Sequence, residues 1–301
     1  MVSEISNKTA IIFGISGQDG YYLKNILEKE NIKIYGTTSN KNSKNDYINL
    51  NDFKEVNSYI KRIAPDYIFC FSAVSKTTHD VIYQNQDVIC NGTLNILESV
   101  KINFKKCKVF IPGSAFQFKL NNECINEKTE FYPNNPYSIA RIYTYNLSKY
   151  YREKFNLKIY YGFLFHHDSP FNKNNSLTMQ IIKSIKNFKK NGDLKLKIKN
   201  LNYTKEFNHA YDIVMAIWNF INQNNYYELI IGSGNAITIE DFIFKVFRIL
   251  NIKIETNLNI GKYGEKIIVK SNPNLLTSIG WKPIYSVEES IQDILTYGDI
   301  S

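Results

Sequence analysis

The sequence predicts an α/β fold with a doubly wound parallel sheet, on three observations. The apolar run Thr9–Phe13 ends in glycines at positions 14, 17 and 20. Strand-like and helix-like segments then alternate up to about Phe165. One strand-like run, Tyr67–Phe71, is continuously apolar, as expected of a strand covered on both faces.

The elements follow in order. Thr9–Phe13 reads as a buried strand, and Tyr21–Leu27 takes up helical spacing behind the turn. A G-x-x-G-x-x-G turn lets backbone pass close to a pyrophosphate with no Cβ in the way, while the helix presents free N–H groups and its positive end. Gly14, Gly17, Gln18, Asp19 and Gly20 are therefore expected to hold a dinucleotide. Lys33–Gly36 reads as the second strand, Asp52–Ile63 as a helix, Asp87–Val100 as a helix and Lys108–Pro112 as a strand. Tyr137–Phe155 is a long helix and Lys158–Phe165 a further strand. In such a Rossmann-type sheet ligands bind at the carboxyl ends of the strands, where Gly14, Thr37, Ser72 and Ser114 gather. Ala73 follows Ser72 on the cofactor side, and Ser75 is expected toward the substrate.

From His166 the rhythm changes. Phe171–Ser176 is a polar loop, Leu177–Phe188 is helical, and Leu194–Ile198 alternates like an edge strand. Thr238 and Asp241 form a capping box for a helix through Leu250. The expected division is a dinucleotide-binding domain over residues 1–165 and a smaller α/β substrate lobe over 166–301, with some crossing of the chain between them.

A chain of 301 residues with 44% hydrophobic content can build a full core. It has no apolar run long enough to span a bilayer, and Met1–Ser6 lacks a signal-peptide pattern, so a cytoplasmic protein without membrane contact is expected. Cys70, Cys90, Cys107 and Cys124 have no C-x-x-C spacing and read as reduced structural thiols. The net charge of +9 raises a nucleic-acid partner. Against it, the lysines read as scattered, with no Arg-rich stripe carrying interleaved aromatics, and an anionic substrate suits the same field. No histidine has a partner at metal-ligand spacing, so no metal is expected.

A second constellation opens the long helix. Tyr137 and Arg141 are four residues apart and share a helical face. A fixed cation beside a tyrosine favours phenolate and suits the phenol to general-base work. At the end of the second strand, Ser39, Asn40 and Lys41 stand where an acidic residue would hold a ribose 2′-hydroxyl. Their chemistry suits a 2′-phosphate, so NADP is expected ahead of NAD.

These segments together resemble the extended short-chain dehydrogenase/reductase family, and within it the GDP-mannose 4,6-dehydratases. Gly14–Gly20 is similar to that subgroup's glycine loop, including its Gln-Asp-Gly ending. Asp87-Val88 with Gly92–Leu94 and Leu97-Glu98 is similar to its fourth helix, and Phe131–Pro133 with Pro136-Tyr137 to its catalytic approach. Leu164–Pro170, Lys205–Ala210 and Ile279–Pro283 resemble three further stretches. The resemblance implies NAD(P) chemistry at C4 of a nucleotide-diphosphate sugar, GDP-linked, with Tyr137 as base and Ser114 bonding the sugar oxygen. It also implies that Asn49 stands at the adenine-binding position, that His166 and His167 lie near the substrate, and that Lys205 replaces a diphosphate-binding arginine. A homodimer is expected, because the loop after the second strand is shorter than the one with which these dehydratases build tetramers.

The departures bear on the reaction. Arg141 replaces the family lysine. Phe116 occupies the place of the glutamate that handles the proton and the departing hydroxyl during dehydration. Glu123, Glu127 and Glu130 lie nearby but out of register, and Phe171 and Asn172 replace two arginines. Three functions stay open on the sequence: a 4-oxidoreductase or epimerase without dehydration, an atypical 4,6-dehydratase using another acid, and a non-catalytic nucleotide-sugar-binding partner.

Overall fold

The computed structural model describes residues 8–41, 43–172, 176–253 and 260–297. The Met1–Ser6 segment and the Lys173–Asn175 part of the polar loop lie outside these. The chain opens with β1 (Thr9–Phe13), α1 (Gln18–Lys29), β2 (Lys33–Thr38), β3 (Asp46–Tyr47), α2 (Phe53–Ile63) and β4 (Tyr67–Cys70). A helical run follows: α3 (Ile82–Asn85), a π-helical stretch Gln86–Asn91, and α4 (Gly92–Asn103). Next come β5 (Lys108–Ser114), β6 (Cys124–Ile125), α5 (Pro136–Phe155), β7 (Lys158–Leu164), β8 (His167–Asp168) and α6 (Leu177–Asn191). The rest comprises β9 (Thr204–Glu206), β10 (Asn208–His209), α7 (Ala210–Ile221), β11 (Glu228–Ile231), β12 (Ala236–Thr238), α8 (Ile239–Ile249), β13 (Ile268–Ser271), α9 (Asn274–Ser278) and α10 (Val287–Tyr297).

The main sheet has the order β11-β7-β5-β4-β1-β2-β3, and every pairing in it is parallel. The chain winds outward from β1 to β3 and then returns to β4 on the other side of β1. The crevice between β1 and β4 is therefore the topological switch point, where α/β sheets bind ligands. Helices cover both faces. Val56, Ile60, Leu97, Val100 and Tyr151 pack from α2, α4 and α5 on one side. Leu23, Leu27, Ile213, Ile217 and Phe220 pack from α1 and α7 on the other. Because α7 and β11 complete this layer, residues well beyond Phe165 belong to the large sheet. A separate apolar core unites α6, α8 and α10 around Ile185, Phe242, Phe247 and Ile291.

Several expected boundaries shift. Helix α1 begins at Gln18 rather than Tyr21, so Gly20 lies inside its first turn. Strands β2 and β5 each run two residues further than read, to Thr38 and Ser114. Leu194–Ile198 keeps its alternation, with Leu196 and Ile198 buried, but forms no strand; only Ile198 bridges, to Gly261. The pattern fixed which side chains face the core, while ladder formation needed a partner strand that the lobe supplies only at that one position. Thr238 caps α8, its hydroxyl accepting from the Asp241 N–H at 2.9 Å. The four cysteines are free thiols, three of them buried.

Candidate functional site

At the switch point the glycine loop is fixed by its own backbone. The Thr37 carbonyl accepts the N–H groups of Gly14 and Ile15, each at 3.1 Å, and the Gly17 N–H reaches the Gly14 carbonyl at 3.1 Å. Gly14 has φ +89°, and a Cβ there would stand 2.8 Å from the Ser72 nitrogen. A Cβ on Gly20 would fall 2.6 Å from the Gly14 carbonyl, so this glycine lets α1 press onto the loop. Gly17 differs: a Cβ would meet only the Gly14 carbonyl, at 3.5 Å. Nothing in the protein demands glycine at 17. It caps α1 without a side chain and leaves the first-turn amides of Gln18, Asp19 and Gly20 for an outside acceptor. Open space over Gly17 beside free amides fits a dinucleotide's pyrophosphate.

The side chains of Gln18 and Asp19 are engaged within the protein. Gln18 donates from Nε2 to the His167 carbonyl at 3.2 Å and accepts the Ser169 hydroxyl at 3.0 Å. Asp19 Oδ1 lies 3.1 Å from His167 Nε2, and the other ring nitrogen faces the Phe165 carbonyl at 2.7 Å. With acceptors on both nitrogens the imidazole is held doubly protonated. Burial alone would lower its pKa, but Asp19 and the Phe165 carbonyl outweigh that and raise it to about 9. The sequence placed Gln18 and Asp19 on the cofactor and His167 near the substrate. In the structure their side chains tie β8 to the glycine loop, which leaves the first-turn backbone amides as the loop's open donors.

Beyond β2, Ser39, Asn40 and Lys41 are exposed, and the Asn40 N–H donates to Thr38 Oγ1 at 3.2 Å. The Lys41 ammonium lies 5.0 Å from the centre of the Tyr47 ring. Asn49 is exposed, and its Oδ1 closes a turn with the Asn51 N–H at 3.1 Å. Ser72 borders Gly14, while Ala73 packs with Ile89, Cys90, Ala140 and Tyr137 and so brings the loop after β4 to the head of α5. Ser75 is exposed two residues on.

Helix α5 is placed by Pro136 at its first position and by Asn135, whose side chain accepts the Ser138 N–H. Tyr137 is 8% exposed and Arg141 4%. The guanidinium lies over the Tyr137 ring, 5.1 Å from its centre, and Nη1 donates to the Pro112 carbonyl at 2.6 Å. Among the described residues no carboxylate pairs with Arg141, and its Nε–H is buried without a partner. A buried cation without a counter-charge is costly. The arrangement therefore favours negative charge arriving beside it, on the Tyr137 oxygen or on a ligand.

Ser114 ends β5, and its hydroxyl accepts the Phe116 N–H at 3.2 Å. Phe116 is 55% exposed, its ring edge-on to Tyr137 with centroids 6.5 Å apart. It fills no internal gap; it stands at the mouth of the site. The three nearby glutamates are engaged elsewhere. Glu127 accepts the Ile230 N–H at 2.9 Å, Glu130 pairs with Lys119 at 3.2 Å, and Glu123 accepts from Asn121 at 3.1 Å.

On the small-lobe side, His166 Nε2 faces Asp168 at 3.0 Å and Thr178 at 2.9 Å. Burial would raise the Asp168 pKa, but His166, Thr178 and Asn172 outweigh it and hold the carboxyl ionised. Lys205 is half-buried, and loss of solvent brings its ammonium down to about 8 against the opposing pull of Asp168. His209 is engaged within the protein: it caps α7, bonds Asp293 at 2.9 Å and stacks on Tyr285 at 3.9 Å.

Sequence reasoning missed Gln117 and Tyr161. Gln117 is fully buried, and its Oε1 accepts both the Ser114 N–H at 2.7 Å and the Tyr161 hydroxyl at 3.0 Å. Tyr161 also reaches the Arg141 carbonyl at 2.7 Å, so these two side chains join the end of β5 to α5. The S-x-x-Q spacing of Ser114 and Gln117 is a capping-box signature visible in the sequence.

Residues 11–294 match the GDP-mannose 4,6 dehydratase family. The chain belongs to that family. It is 29% identical over 273 residues to the GDP-mannose 4,6-dehydratase of Yersinia enterocolitica, covering 82% of this chain and 73% of the relative. Its fold is similar to that of RMD from Pseudomonas aeruginosa, solved with NADPH, at a TM-score of 0.83 and 16% identity over 98% of this chain and 100% of the other. It is also similar to a dTDP-glucose 4,6-dehydratase of Bacillus anthracis, solved with NAD, at 0.80 and 18% over 98% and 97%. In this enzyme of the dehydratase family, the carboxyl edge of the sheet carries Tyr137, Arg141 and Ser114 with an exposed phenyl ring beside them.

Proposed function

We propose that this enzyme performs hydride chemistry at C4 of a GDP-linked sugar without efficient loss of water. The reading rests on one observation: Tyr137, lying under a buried and unpaired Arg141, has the exposed Phe116 ring at its side. Tyr137 takes the proton from the C4 hydroxyl at its phenolic oxygen. Arg141 supplies the positive charge beside the phenolate that receives this proton, and the electron pair left on the sugar oxygen becomes the C4 carbonyl as hydride departs. Ser114 accepts from the Phe116 amide and keeps its own hydroxyl proton to donate to the sugar oxygen. A bound nicotinamide supplies the hydride acceptor or donor.

The loop amides after Gly17 would hold the cofactor's pyrophosphate, with Gly14 and the Ser72-Ala73 turn on the cofactor side, and the Asn49 amide would bind the adenine. Ser39, Asn40 and Lys41 favour NADP over NAD. Ser75 lies toward the sugar nucleotide from the loop after β4, and His166 and Lys205 from the lobe formed by residues 166–301 apart from α7 and β11. A phenyl ring moves no proton, so elimination lacks the acid–base help worth about 100- to 10,000-fold. We place the enzyme in the cytoplasm as a homodimer, paired through the α3 and α5 face on which Tyr83, Ile139, Tyr143 and Tyr150 are exposed.

The test incubates the purified enzyme with GDP-mannose and NADP and follows product masses. Loss of two hydrogens is the expected result, and Phe116→Glu should add a dehydrated product. Efficient dehydration by the unaltered enzyme would overturn the reading of Phe116. No turnover with any GDP-sugar would leave a binding protein.

A further inference from the structure

The lysines, read above as scattered, are concentrated in one stretch of the chain. Residues 177–199 hold seven lysines against one acid, Asp193, and so carry six of the nine net positive charges. The remainder of the chain holds lysine at a far lower density, 26 in 278 residues, and is nearly balanced by acids, so a chain-wide compositional bias does not account for the cluster. Helix α6 turns Met179, Ile181, Ile182 and Ile185 into the small-lobe core. The following segment turns in Leu196 and Ile198, and it lies along α6 through the Ser184 hydroxyl bond to the Lys195 carbonyl at 3.0 Å. Both amphipathic segments thus bury their apolar sides and leave Lys183, Lys189, Lys190, Lys195, Lys197 and Lys199 exposed. Lys189 donates to the Leu250 carbonyl, and Asp193 pairs with Lys195 at 3.4 Å with both side chains well solvated.

We infer that this face docks the enzyme on an anionic lipid surface. The chemistry of the face narrows the partner. It carries no arginine, whose planar fork grips individual phosphates, and no large hydrophobic side chain within it is exposed. Protein interfaces are anchored by buried aromatic and arginine side chains and are depleted in lysine, so an acidic protein is a poor match. Single-stranded nucleic acid is bound in grooves lined by aromatic rings, and this face is the outside of a helix. Flexible ammonium groups spread over an outer face suit a fluid layer of acidic headgroups, where each contributes through charge alone and nothing inserts. Among the described residues no helix is long and apolar enough to cross a membrane, so the attachment is peripheral.

The test floats the full chain with vesicles of phosphatidylglycerol and phosphatidylcholine in equal parts, and with pure phosphatidylcholine. Binding is expected only to the anionic vesicles, and it should collapse at high salt because surface charges are screened. The variant carrying K183Q, K190Q, K195Q and K197Q should bind at least tenfold more weakly. A control with K24Q, K54Q, K61Q and K149Q, equal in charge but on other elements, should bind like the unaltered chain. These lysines are exposed, so both variants should unfold as the parent does, and the salt response of the parent tests the idea without any variant. Three results would overturn it: equal binding to neutral vesicles, equal loss in the control, or tighter retention by random-sequence duplex DNA than by the vesicles.

Discussion

Two glycines in one loop should fail in opposite ways when given a methyl group. At Gly14 the backbone has φ +89°, and a Cβ would press on the Ser72 nitrogen at 2.8 Å and the Phe71 carbonyl carbon at 2.9 Å. The left-handed conformation costs an L-residue about 1–2 kcal/mol, and overpacking adds about 1–3 kcal/mol. Gly14→Ala should therefore lose roughly 2–5 kcal/mol of stability, or about 5–15 °C in Tm at the scale of a domain this size. Gly17, at φ −81° and ψ 170°, is ordinary extended backbone with room for a Cβ. Gly17→Ala should leave stability within about 0.5 kcal/mol of the parent, while the methyl group occupies the space offered to a pyrophosphate. Binding should weaken by about 1–3 kcal/mol, roughly five- to hundredfold in Kd. Thermal denaturation reads the first effect and calorimetry with NADPH and NADH the second. If Gly17→Ala binds both nucleotides like the parent, the loop is not the dinucleotide site.

The remaining predictions concern the buried charges. Arg141→Met removes an unpaired buried cation, so stability should hold or rise while hydride transfer falls by about 100-fold or more; a large drop in Tm would show that the Pro112 bond, not the charge, is its role. Tyr137→Phe should stop turnover with nucleotide affinity kept, and wild-type rates in that variant would refute the assigned base. The His167 pKa is raised to about 9 from an ordinary 6.5, so its contribution is complete below about pH 6.5 and is lost as pH rises through 9. That shift corresponds to ~3 kcal/mol. Lys205, lowered to about 8, acts with the opposite sign, since its buried charge is relieved as pH rises. The comparison is therefore denaturant stability of the parent against Asp19→Asn across pH 6 to 10, where the variant should lose the alkaline decline; parallel curves would show the pair contributes nothing. Gln117→Leu should lower kcat more than it raises KM, because it frees Ser114 without touching the nucleotide, and an unchanged kcat would leave Gln117 a packing residue only.

How much of this was legible depended on the range of the interactions. The glycine loop is readable because its three glycines answer demands made within a few residues by strand end, turn and helix start. Its helix nevertheless starts three residues earlier than the spacing indicates, since Asp19 and Gly20 are weak helix formers and the apolar period begins only at Tyr21. Tyr137 and Arg141 share a face by helical spacing alone, so the pair could be named from sequence. That Arg141 is buried, unpaired and bonded to Pro112 could not, because β5 lies 29 residues away along the chain. Gln18 and Asp19 show the same limit: their pattern marked a phosphate loop, yet their partners His167 and Ser169 are about 150 residues distant. The sequence by itself determined the strand–glycine–helix start, the doubly wound parallel sheet and the shared helical face of Tyr137 and Arg141, all carried by local spacing and hydrophobic period. Only the tertiary structure decided that Phe116 is exposed beside that tyrosine, that three glutamates point elsewhere, and that lysines from a helix and an irregular segment form one face. These depend on how the chain folds back on itself, from the short return that lays Lys195 against Ser184 to the long one that brings Ile230 to Glu127, and no hydrophobic period encodes them.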